Sequence, residues 1–241
     1  MSLLPHLQCR PEQIAERVIL CGDPARVDRI ASQLEGSELL GQNREFRLIN
    51  GLYQGLSVTV CSTGIGGASA IIALEELVQA GARALVRVGS AGALQHEIAL
   101  GDLVVVEGAV RHDGGSLSYL PPEYPACADL RLQLSLLERI VASGHPHWHG
   151  LVRSHDSFYR DDEQAVCRYW HERGVLGADM ETASLLTVGR LRKVRVAAVL
   201  CNVVAFEQDV QQGVSDYAKS EAAMMAGERL AIAAALHALT R

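Results

Sequence analysis

The sequence lacks three features that would assign it to a specialised class of protein. None of its six cysteines forms a CxxC pair, so the spacing typical of metal-binding and disulfide-rich domains is missing. Acidic residues outnumber basic ones by 28 to 22, and the net charge of −6 gives no electrostatic reason to bind nucleic acid or an anionic membrane. We therefore expect the cysteines to be small apolar residues in a reducing compartment, and any bound anion to be held by a local group of arginines.

Targeting and membrane segments are also missing. Residues 1–20 carry two acidic and two basic side chains, which a secretory signal would not. The longest stretch without charge, residues 48–74, is interrupted by five glycines and is not typical of a membrane helix. A chain of 241 residues can bury a full core without disulfides or a metal. We predict a cytoplasmic protein with one domain over residues 1–241 that binds neither nucleic acid nor a membrane.

Short apolar runs alternate with longer amphipathic ones along the chain. Predicted strands cover residues 18–21, 57–61, 84–88, 103–110, 175–178 and 194–204. Predicted helices cover residues 25–34, 130–141, 181–188 and 216–239, with another within 158–174 and a further one capped by Ser69. The strands are too uniformly apolar to have one face in water. This alternation therefore predicts an α/β fold.

Three predicted strands end in a turn of small residues with an arginine nearby. The turns are residues 22–26 (GDPAR), 62–67 (STGIGG) and 89–92 (GSAG), and Arg87 precedes the last one. In α/β sheets, ligands bind beyond the carboxyl ends of strands, where glycines let backbone N–H groups approach an anion and arginines add charge-assisted hydrogen bonds. Arg87 interrupts an apolar run in which a buried charge requires a partner. It either binds an anion or pairs with an internal carboxylate.

Several other patterns have weaker implications. Residues 64–69 match a dinucleotide-binding fingerprint without its third glycine or its distant carboxylate, and no Gly-Lys-Ser/Thr of a Walker loop occurs. His145, His147 and His149 have metal-like spacing but no acidic or cysteine partner nearby, so we interpret them as a solvated loop and predict no metal site. Glu228 is interpreted as part of the solvent-exposed face of the last helix.

Asp179 and Glu181 stand where the 181–188 helix is predicted to begin. Acidic residues in a first turn usually complement the helix dipole. The functional interpretation is that a carboxylate at this position accepts hydrogen bonds from sugar hydroxyls.

In their order along the chain, these motifs resemble those of one family. GDPxR at 22–26, REF at 44–46, STGIG at 62–66, RVGS at 87–90 and ME at 180–181 are similar to motifs of the trimeric/hexameric nucleoside phosphorylases. That family includes uridine phosphorylases and bacterial purine nucleoside phosphorylases. The likeness covers essentially the whole chain, and residues 110–117 (VRHDGGSL) look closer to uridine phosphorylase. It implies a three-layer α/β/α domain with a mixed central sheet, and a pentosyltransferase that needs no cofactor or metal besides phosphate as co-substrate.

The resemblance also implies a role for each matching residue. The residues at phosphate-binding positions are Gly22, Arg26, Arg44, Arg87 and Ser90. The residues at ribose-binding positions are His6, Asp179, Met180 and Glu181, where Asp179 replaces the usual Glu. Arg87 and Glu181 would act in catalysis. Because Arg44 and His6 would serve the neighbouring subunit, the family implies a dimer with shared active sites, assembled into a hexamer.

The base end departs from the family pattern. Phe158 would stack near sugar and base, but Asp162 and Gln164 stand where uridine phosphorylases carry a Gln-x-Arg pair, and Val203 stands where they carry an arginine. An acid facing uracil carbonyls has the wrong polarity unless it is protonated or turned away. Glu207 or Asp209 could supply a replacement contact.

Three functions stay open at this point. The leading one is phosphate-dependent reversible cleavage of a nucleoside, with a pyrimidine such as uridine favoured, to free base and pentose 1-phosphate. Its oxocarbenium-like transition state needs an anion beneath the sugar and a site for the negative charge of the departing base. A hydrolytic nucleosidase would have little use for three arginines. A nucleoside-binding paralogue with weak catalysis is the third, because neither a purine-type acid nor a pyrimidine-type arginine follows Asn202.

Overall fold

The computed structural model describes residues 3–207 and 222–241. The strands in this part of the chain are β1 (Arg17–Cys21), β2 (Glu35–Asn43), β3 (Phe46–Tyr53), β4 (Leu56–Ser62), β5 (Ala84–Ala93), β6 (Leu103–His112), β7 (Ala126–Cys127), β8 (His147–His155), β9 (Gly177–Asp179) and β10 (Arg195–Val204). The helices are α1 (Pro24–Ala31), α2 (Gly67–Gln79), α3 (Gly114–Leu117), α4 (Leu130–Val141), α5 (Glu163–His171), α6 (Thr182–Leu191) and α7 (Ala222–Thr240).

All of these strands join one mixed sheet in the order β10-β6-β8-β9-β5-β1-β4-β3-β2, with β7 beside β6. Strands β4, β1, β5 and β10 run parallel to one another, whereas β2 and β3 form an antiparallel extension. Strand β10 pairs with both β5 and β6, so β10, β6, β8, β9 and β5 close into a barrel at one end of the sheet. The predicted mixed α/β fold is therefore confirmed, and the closure of the sheet is a feature that the sequence did not predict.

The parallel strands were predicted well because they are buried on both faces. Strands β1, β5 and β10 are almost entirely inaccessible to solvent, as their continuous apolar runs indicate. Strands β2, β3 and β8 were not predicted. The first five residues of β2 are exposed, and four of them are polar or small, so its strand conformation comes from pairing with β3 and not from its own pattern. The interpretation of residues 145–149 as a loop was wrong from residue 147 onward, where β8 begins.

Helix boundaries follow local chemistry, and the predicted cap of one helix is wrong. Helix α4 begins and ends where expected, capped by the Asp129 carboxylate on the Leu132 N–H group. Helix α2 begins after Gly66 and is not capped by Ser69, whose hydroxyl donates instead to the Thr63 carbonyl oxygen at 2.6 Å. Helix α7 overlaps the predicted 216–239 helix and ends one residue beyond it, and the predicted cap Asp216 lies outside the described residues.

Helix α7 is also long and apolar enough to cross a membrane by length and composition alone. In the structure 56% of that stretch is buried, and the helix packs against α4, β1, β5 and β10. This burial is that of a core helix.

Candidate active site

Arg87 lies at the centre of the sheet, paired in register with Leu20 of β1 and Ala198 of β10, and only 3% of it is exposed. Its Nη2 atom lies 2.5 Å from Glu181 Oε2 and 3.1 Å from Asp179 Oδ2, and its Nε donates to the same Asp179 oxygen at 3.2 Å. Its Nη1 atom is buried and has no hydrogen-bond partner among the described residues. Two carboxylates thus orient the guanidinium and leave one N–H group unused.

Asp179, at the end of β9, is occupied by protein donors on both oxygens. The Ser154 hydroxyl donates to Oδ1 at 2.5 Å, and the Thr182 hydroxyl donates to Oδ2 at 2.5 Å. The Thr182 backbone N–H group adds a bond of 3.0 Å to Oδ2, which Arg87 also contacts. Asp179 therefore has little capacity left for a ligand, and its effect is to hold Arg87 in place.

Glu181 precedes α6 and links Arg87 to the glycine-rich turn. Its Oε1 accepts a hydrogen bond of 2.6 Å from the Gly66 backbone N–H group, while Oε2 faces Arg87. Gly66 has a φ of +93°, a conformation that favours glycine, and this aims its N–H group at the carboxylate. Burial raises the pKa of Glu181, and the negative charge of Asp179 raises it further, whereas Arg87 lowers it.

The turns after β1 and β4 are joined side by side through their backbones. The Thr63 N–H group donates to the Cys21 carbonyl oxygen at 2.8 Å, and the Gly64 N–H group donates to the Gly22 carbonyl oxygen at 3.0 Å. A Cβ atom at Gly22 would lie 3.3 Å from the Gly64 carbonyl oxygen, so the close approach favours glycine. The structure thus brings the GDPAR and STGIGG turns together, next to Glu181.

Arg26, in the first turn of α1, is 3% exposed and lies against the strand that carries Arg87. Its Nη1 donates to the Val88 carbonyl oxygen at 3.1 Å, and its Nε donates to Glu228 Oε2 at 2.7 Å. Glu228 is 1% exposed and also accepts from Arg29 Nε at 2.5 Å. The interpretation of Glu228 as a solvent-exposed residue was therefore wrong, because two arginines of α1 neutralise it in the interior.

His6 and Arg44 lie near each other at the edge formed by the β2–β3 hairpin. His6 Nδ1 is 2.6 Å from Glu76 Oε1, and the Asn43 side-chain amide donates to the His6 carbonyl oxygen at 2.8 Å. Arg44 is exposed in the hairpin turn with a φ of +53° and makes no ion pair with a described residue. No described contact joins either residue to the Arg87 cluster of the same chain.

Of the predicted base-binding residues, Phe158 and Asp162 lie on the segment that leads into α5, and Gln164 lies in the first turn of this helix. Phe158 is half-buried with its ring edge-on to Tyr159, at a centroid distance of 4.9 Å. Asp162 accepts two hydrogen bonds of 2.8 Å from Arg160, which lowers the pKa of this carboxyl group. The acid is thus ionised and turned toward Arg160, while Gln164 is exposed.

The other predicted residues are Ser90, Met180 and Val203. Ser90 on β5 and Met180 beside Glu181 are both half-buried. Val203 is 6% exposed and packs in a small apolar cluster with Val204 and Met224. The C-terminal end of β10 is therefore apolar at the position where the family resemblance implies an arginine.

The two acids considered as replacements in this region are placed differently. Glu207 has a φ of +63°, and its carboxylate lies 3.9 Å from Arg168 on the surface of α5. Asp209 lies outside the described residues.

One notable side chain was missed by the sequence analysis. Arg153 on β8 is fully buried; its Nε donates to His112 Nδ1 at 3.1 Å and its Nη1 donates to Glu163 Oε1 at 2.8 Å. Burial and then the positive charge of Arg153 lower the pKa of both His112 and His155. Arg87 was identified as a candidate because it is a charged residue within an apolar strand. Arg153, which follows Leu151 and Val152, has a similar setting and could have been identified in the same way.

The three clustered histidines have separate partners. His145 Nε2 lies 2.9 Å from the Gly101 carbonyl oxygen, His147 Nδ1 lies 2.9 Å from the His145 carbonyl oxygen, and His149 Nε2 lies 3.0 Å from Gln133 Oε1. Within residues 3–207 and 222–241, no three His, Cys, Asp or Glu side chains are grouped to hold a metal ion.

The chain is similar to a family model and to several known proteins. The family model of the phosphorylase superfamily matches residues 16–238. A guanosine phosphorylase of Halorubrum lacusprofundi is 38% identical over 203 residues, which cover 84% of this chain and 83% of that protein. A uridine phosphorylase of Thermococcus kodakarensis is 35% identical over 241 residues, which cover 95% of this chain and 86% of that protein.

The architecture matches a solved structure equally well. The crystal structure of uridine phosphorylase from Vibrio fischeri ES114 is 49% identical and superposes with a TM-score of 0.93, covering 100% of this chain and 98% of that one. The predicted resemblance to nucleoside phosphorylases and the predicted fold class are confirmed. Because the family model matches most of its length and the whole chain shares the fold of a solved uridine phosphorylase, the chain belongs to the phosphorylase superfamily.

Proposed function

We propose that this nucleoside phosphorylase uses inorganic phosphate to cleave nucleosides whose base carries a ring N–H group beside a carbonyl, with uridine as the preferred substrate. The products are the free base and a pentose 1-phosphate. The observation that carries the proposal is the environment of Arg87: two carboxylates hold it, one N–H group is unused, and the paired glycine turns lie beside Glu181.

Phosphate binds between Arg26, Arg87 and the turn at Gly22. Two buried guanidinium groups on neighbouring elements suit a dianion, because charge-assisted hydrogen bonds are stronger where water is excluded. Ser90, two strand residues beyond Val88, supplies a hydroxyl donor from β5. A phosphate oxygen held in this way attacks the anomeric carbon as the bond to the base nitrogen breaks.

The sugar binds against Met180 and Glu181. The Glu181 carboxylate accepts hydrogen bonds from ribose hydroxyl groups, and its contact with Arg87 links the sugar site to the phosphate site. Arg87 and Glu181 are the catalytic residues in this proposal, because both touch reacting groups. Asp179 is a positioning residue whose oxygens are already occupied by Ser154 and Thr182.

The choice of base rests on the relatives and on the chemistry that they share. The Halorubrum protein is a guanosine phosphorylase and the Thermococcus protein a uridine phosphorylase. Guanine and uracil differ in size, but each presents a ring N–H group next to a carbonyl oxygen. Uridine is preferred because the Vibrio fischeri uridine phosphorylase is 49% identical over the whole chain. Phe158 stacks on the base, near Asp162, Gln164 and Val203.

Two alternatives are weighed against this function. A hydrolytic nucleosidase uses water and gains nothing from the cations Arg26, Arg44 and Arg87. A nucleoside-binding paralogue with weak catalysis is favoured by one observation, the apolar cluster of Val203 and Val204 at the end of β10, which offers no group to the departing base.

The assembly proposed for the chain is a homodimer with shared active sites, and three such dimers form a hexamer. It is supported by the position of His6 and Arg44 on one edge, where Arg44 has no ionic partner among the described residues and is available to a neighbouring site. We also propose a single domain over residues 1–241, no cofactor or metal besides phosphate as co-substrate, and a cytoplasmic location, in keeping with the free thiols of the cysteines.

The test is a panel of nucleosides incubated with and without phosphate and scored for free base. The panel contains uridine, thymidine, cytidine, inosine, guanosine and adenosine, and the control is the Arg87→Gln variant purified in the same way. Base release that requires phosphate, is fastest with uridine and is lost in the variant is the expected result. Release without phosphate would establish a nucleosidase, and saturable binding without release would establish a binding protein.

A further inference from the structure

Arg153, which is fully buried, and Glu163, whose side chain is 21% exposed, form an ion pair that is only half satisfied. Arg153 Nη1 donates to Glu163 Oε1 at 2.8 Å. The other two atoms of this pair, Arg153 Nη2 and Glu163 Oε2, are buried and have no hydrogen-bond partner among the described residues. The two side chains are thus in contact, but the donor Nη2 of one and the acceptor Oε2 of the other make no hydrogen bond with a described residue.

Such an arrangement is costly for a purely structural ion pair. Burying charged groups is unfavourable unless their hydrogen-bonding atoms are used, and a bidentate arginine–carboxylate contact would use both open atoms. The Arg153 guanidinium is instead fixed through its Nε, which donates to His112 Nδ1 at 3.1 Å. This contact holds the guanidinium in an orientation that leaves Nη2 without a partner.

The pair is located at the base end of the proposed site. Glu163 stands between Asp162 and Gln164, the two positions where the uridine phosphorylase pattern places its base-reading side chains. Arg153 directly precedes Ser154 on β8, whose hydroxyl donates to Asp179 at 2.5 Å, so the two side chains leave the strand on opposite faces. The Arg153–Glu163 pair therefore joins β8 to the first turn of α5, which carries the positions expected to read the base.

A second ion pair, nearer the surface, covers this one. Arg160 Nε lies 3.9 Å from Glu163 Oε2, and Arg160 in turn binds Asp162, whose side chain is 58% exposed. Arg160 and Asp162 neutralise each other, so they can move outward together without leaving an unpaired charge inside. Their displacement would uncover Glu163 Oε2 and the neighbouring Arg153 Nη2.

On the basis of the proposed function, we propose that Arg153 and Glu163 read the edge of the base. Arg153 Nη2 donates to a ring carbonyl oxygen, and Glu163 Oε2 accepts from the adjacent ring N–H group. The pair takes over the task of the missing Gln-x-Arg residues. It selects lactam bases such as uracil and hypoxanthine over cytosine and adenine, whose donors and acceptors are reversed at this edge. The positive charge of Arg153 also lies where negative charge develops on the departing base.

The deciding variant is Glu163→Gln, with Glu172→Gln as its matched control on the same helix. The Gln amide oxygen can still accept from Arg153 Nη1, while its NH₂ group replaces the acceptor Oε2 by a donor. The Glu172 side chain is 62% exposed at the C-terminal end of α5, and its one ion pair with a described residue is to Arg173. Thermal unfolding of both variants, followed by circular dichroism, shows whether each one is folded.

The measurement compares each base with its N-methylated form by calorimetric binding, using uracil with 3-methyluracil and hypoxanthine with 1-methylhypoxanthine. We expect the wild-type protein and Glu172→Gln to prefer the unmethylated base at least tenfold, and Glu163→Gln to lose this preference to within about threefold. Arg153→Lys, which keeps the charge but not the fork of donors, is expected to bind uracil at least tenfold more weakly.

Equal binding of methylated and unmethylated bases by the wild-type protein, or undiminished preference in folded Glu163→Gln, would overturn the inference. If Glu163→Gln does not fold, the wild-type preference and Arg153→Lys decide it. Phosphate-dependent cleavage, together with equal binding of methylated and unmethylated bases, would refute this inference and leave the proposed function standing. A preference in binding without phosphate-dependent cleavage would sink the proposed function alone, and no binding of any base would sink both.

Discussion

Arg26 and Glu228 are 202 residues apart in the chain, yet Arg26 Nε donates to Glu228 Oε2 at 2.7 Å in an almost fully buried contact. Arg29 binds the other carboxylate oxygen at 2.5 Å. Helix α7 thus reaches back to the turn after β1 and holds an arginine that we propose to contact phosphate. The stability of the fold and the geometry of the phosphate site therefore depend on the same carboxylate.

Removal of this carboxylate should lower stability in a phosphate-dependent way. Glu228→Ala leaves the buried Arg26 and the partly exposed Arg29 without their shared partner, and breaking a buried pair of this kind typically costs about 3–5 kcal/mol in the free energy of unfolding. Phosphate would supply part of the missing negative charge, so it should raise the melting temperature of the variant more than that of the wild type. Chemical and thermal denaturation with and without phosphate measure both effects.

The surface variant Glu172→Ala serves as the control for this experiment. Its side chain is 62% exposed, and its loss should change the free energy of unfolding by no more than about 0.5 kcal/mol. If Glu228→Ala were as stable as this control, the buried contact with Arg26 would have no energetic role.

Arg87→Gln should lower activity far more than binding of the free nucleoside. The substitution removes the cation that Asp179 and Glu181 orient, and loss of one preorganised electrostatic group typically costs about 10²–10³-fold in rate. Steady-state kinetics with varied phosphate should show the loss in kcat/KM for phosphate. Arg83→Gln, an exposed arginine just before the same strand, provides the control and should retain wild-type kinetics. A similar loss in both variants would contradict the proposed role of Arg87.

Much of the fold could be predicted because strands that are buried on both faces have continuous apolar runs in the sequence. Strands β1, β5 and β10 follow continuous apolar runs, and α4 has an acidic cap followed by a clear helical period. The hairpin strand β2 could not be predicted, because it is mostly exposed and owes its shape to hydrogen bonds with β3. The first turn of α2 was misplaced because Ser69 has the residue type of a cap but donates its hydrogen bond elsewhere.

Side-chain contacts in the candidate site could be anticipated where one segment carries the signal, but not where two distant segments share a contact. Arg87 stood out because a charge in an apolar run needs a partner, and the structure supplies two. The partner of Glu228 could not be inferred, since it lies at the opposite end of the chain. For Asp162 a local signal existed, because Arg160 is only two residues away, but neither side chain indicates by itself that it turns toward the other.

Mixed assemblies can test whether active sites are shared between subunits. We expect Arg44→Ala and Arg87→Gln each to lose most phosphate-dependent activity alone. A mixed dimer contains one site with both arginines intact, so random mixing of equal amounts should recover about a quarter of the wild-type activity. Co-expression with two affinity tags allows the mixed species to be isolated and assayed. Mixed dimers as inactive as the parents would show that Arg44 acts in its own subunit, and an Arg44→Ala protein with full activity would show that Arg44 has no role in the site.

His155 should make the protein less stable at mildly acidic pH. It lies two residues beyond Arg153 on β8, and its Nδ1 is 2.9 Å from the Ser157 carbonyl oxygen. Burial, followed by the charge of Arg153, lowers the pKa of His155 below its usual 6.5. The unfolded chain therefore takes up a proton more readily than the folded one as the pH falls through 6.5. Stability is highest above this pH and declines below it, until the lower pKa of the folded state is reached.

The size of the decline follows from the shift of the pKa, since each unit corresponds to about 1.36 kcal/mol. The free energy of unfolding, measured by urea titration at several pH values between 7.5 and 5, should fall less steeply in His155→Asn than in the wild type. A double variant with His112→Asn should be flatter still, because burial and Arg153 lower the pKa of His112 in the same direction. Parallel curves for the wild type and both variants would mean that these histidines are protonated equally in the folded and unfolded chains. In that case the charge of Arg153 does not lower the pKa of either histidine.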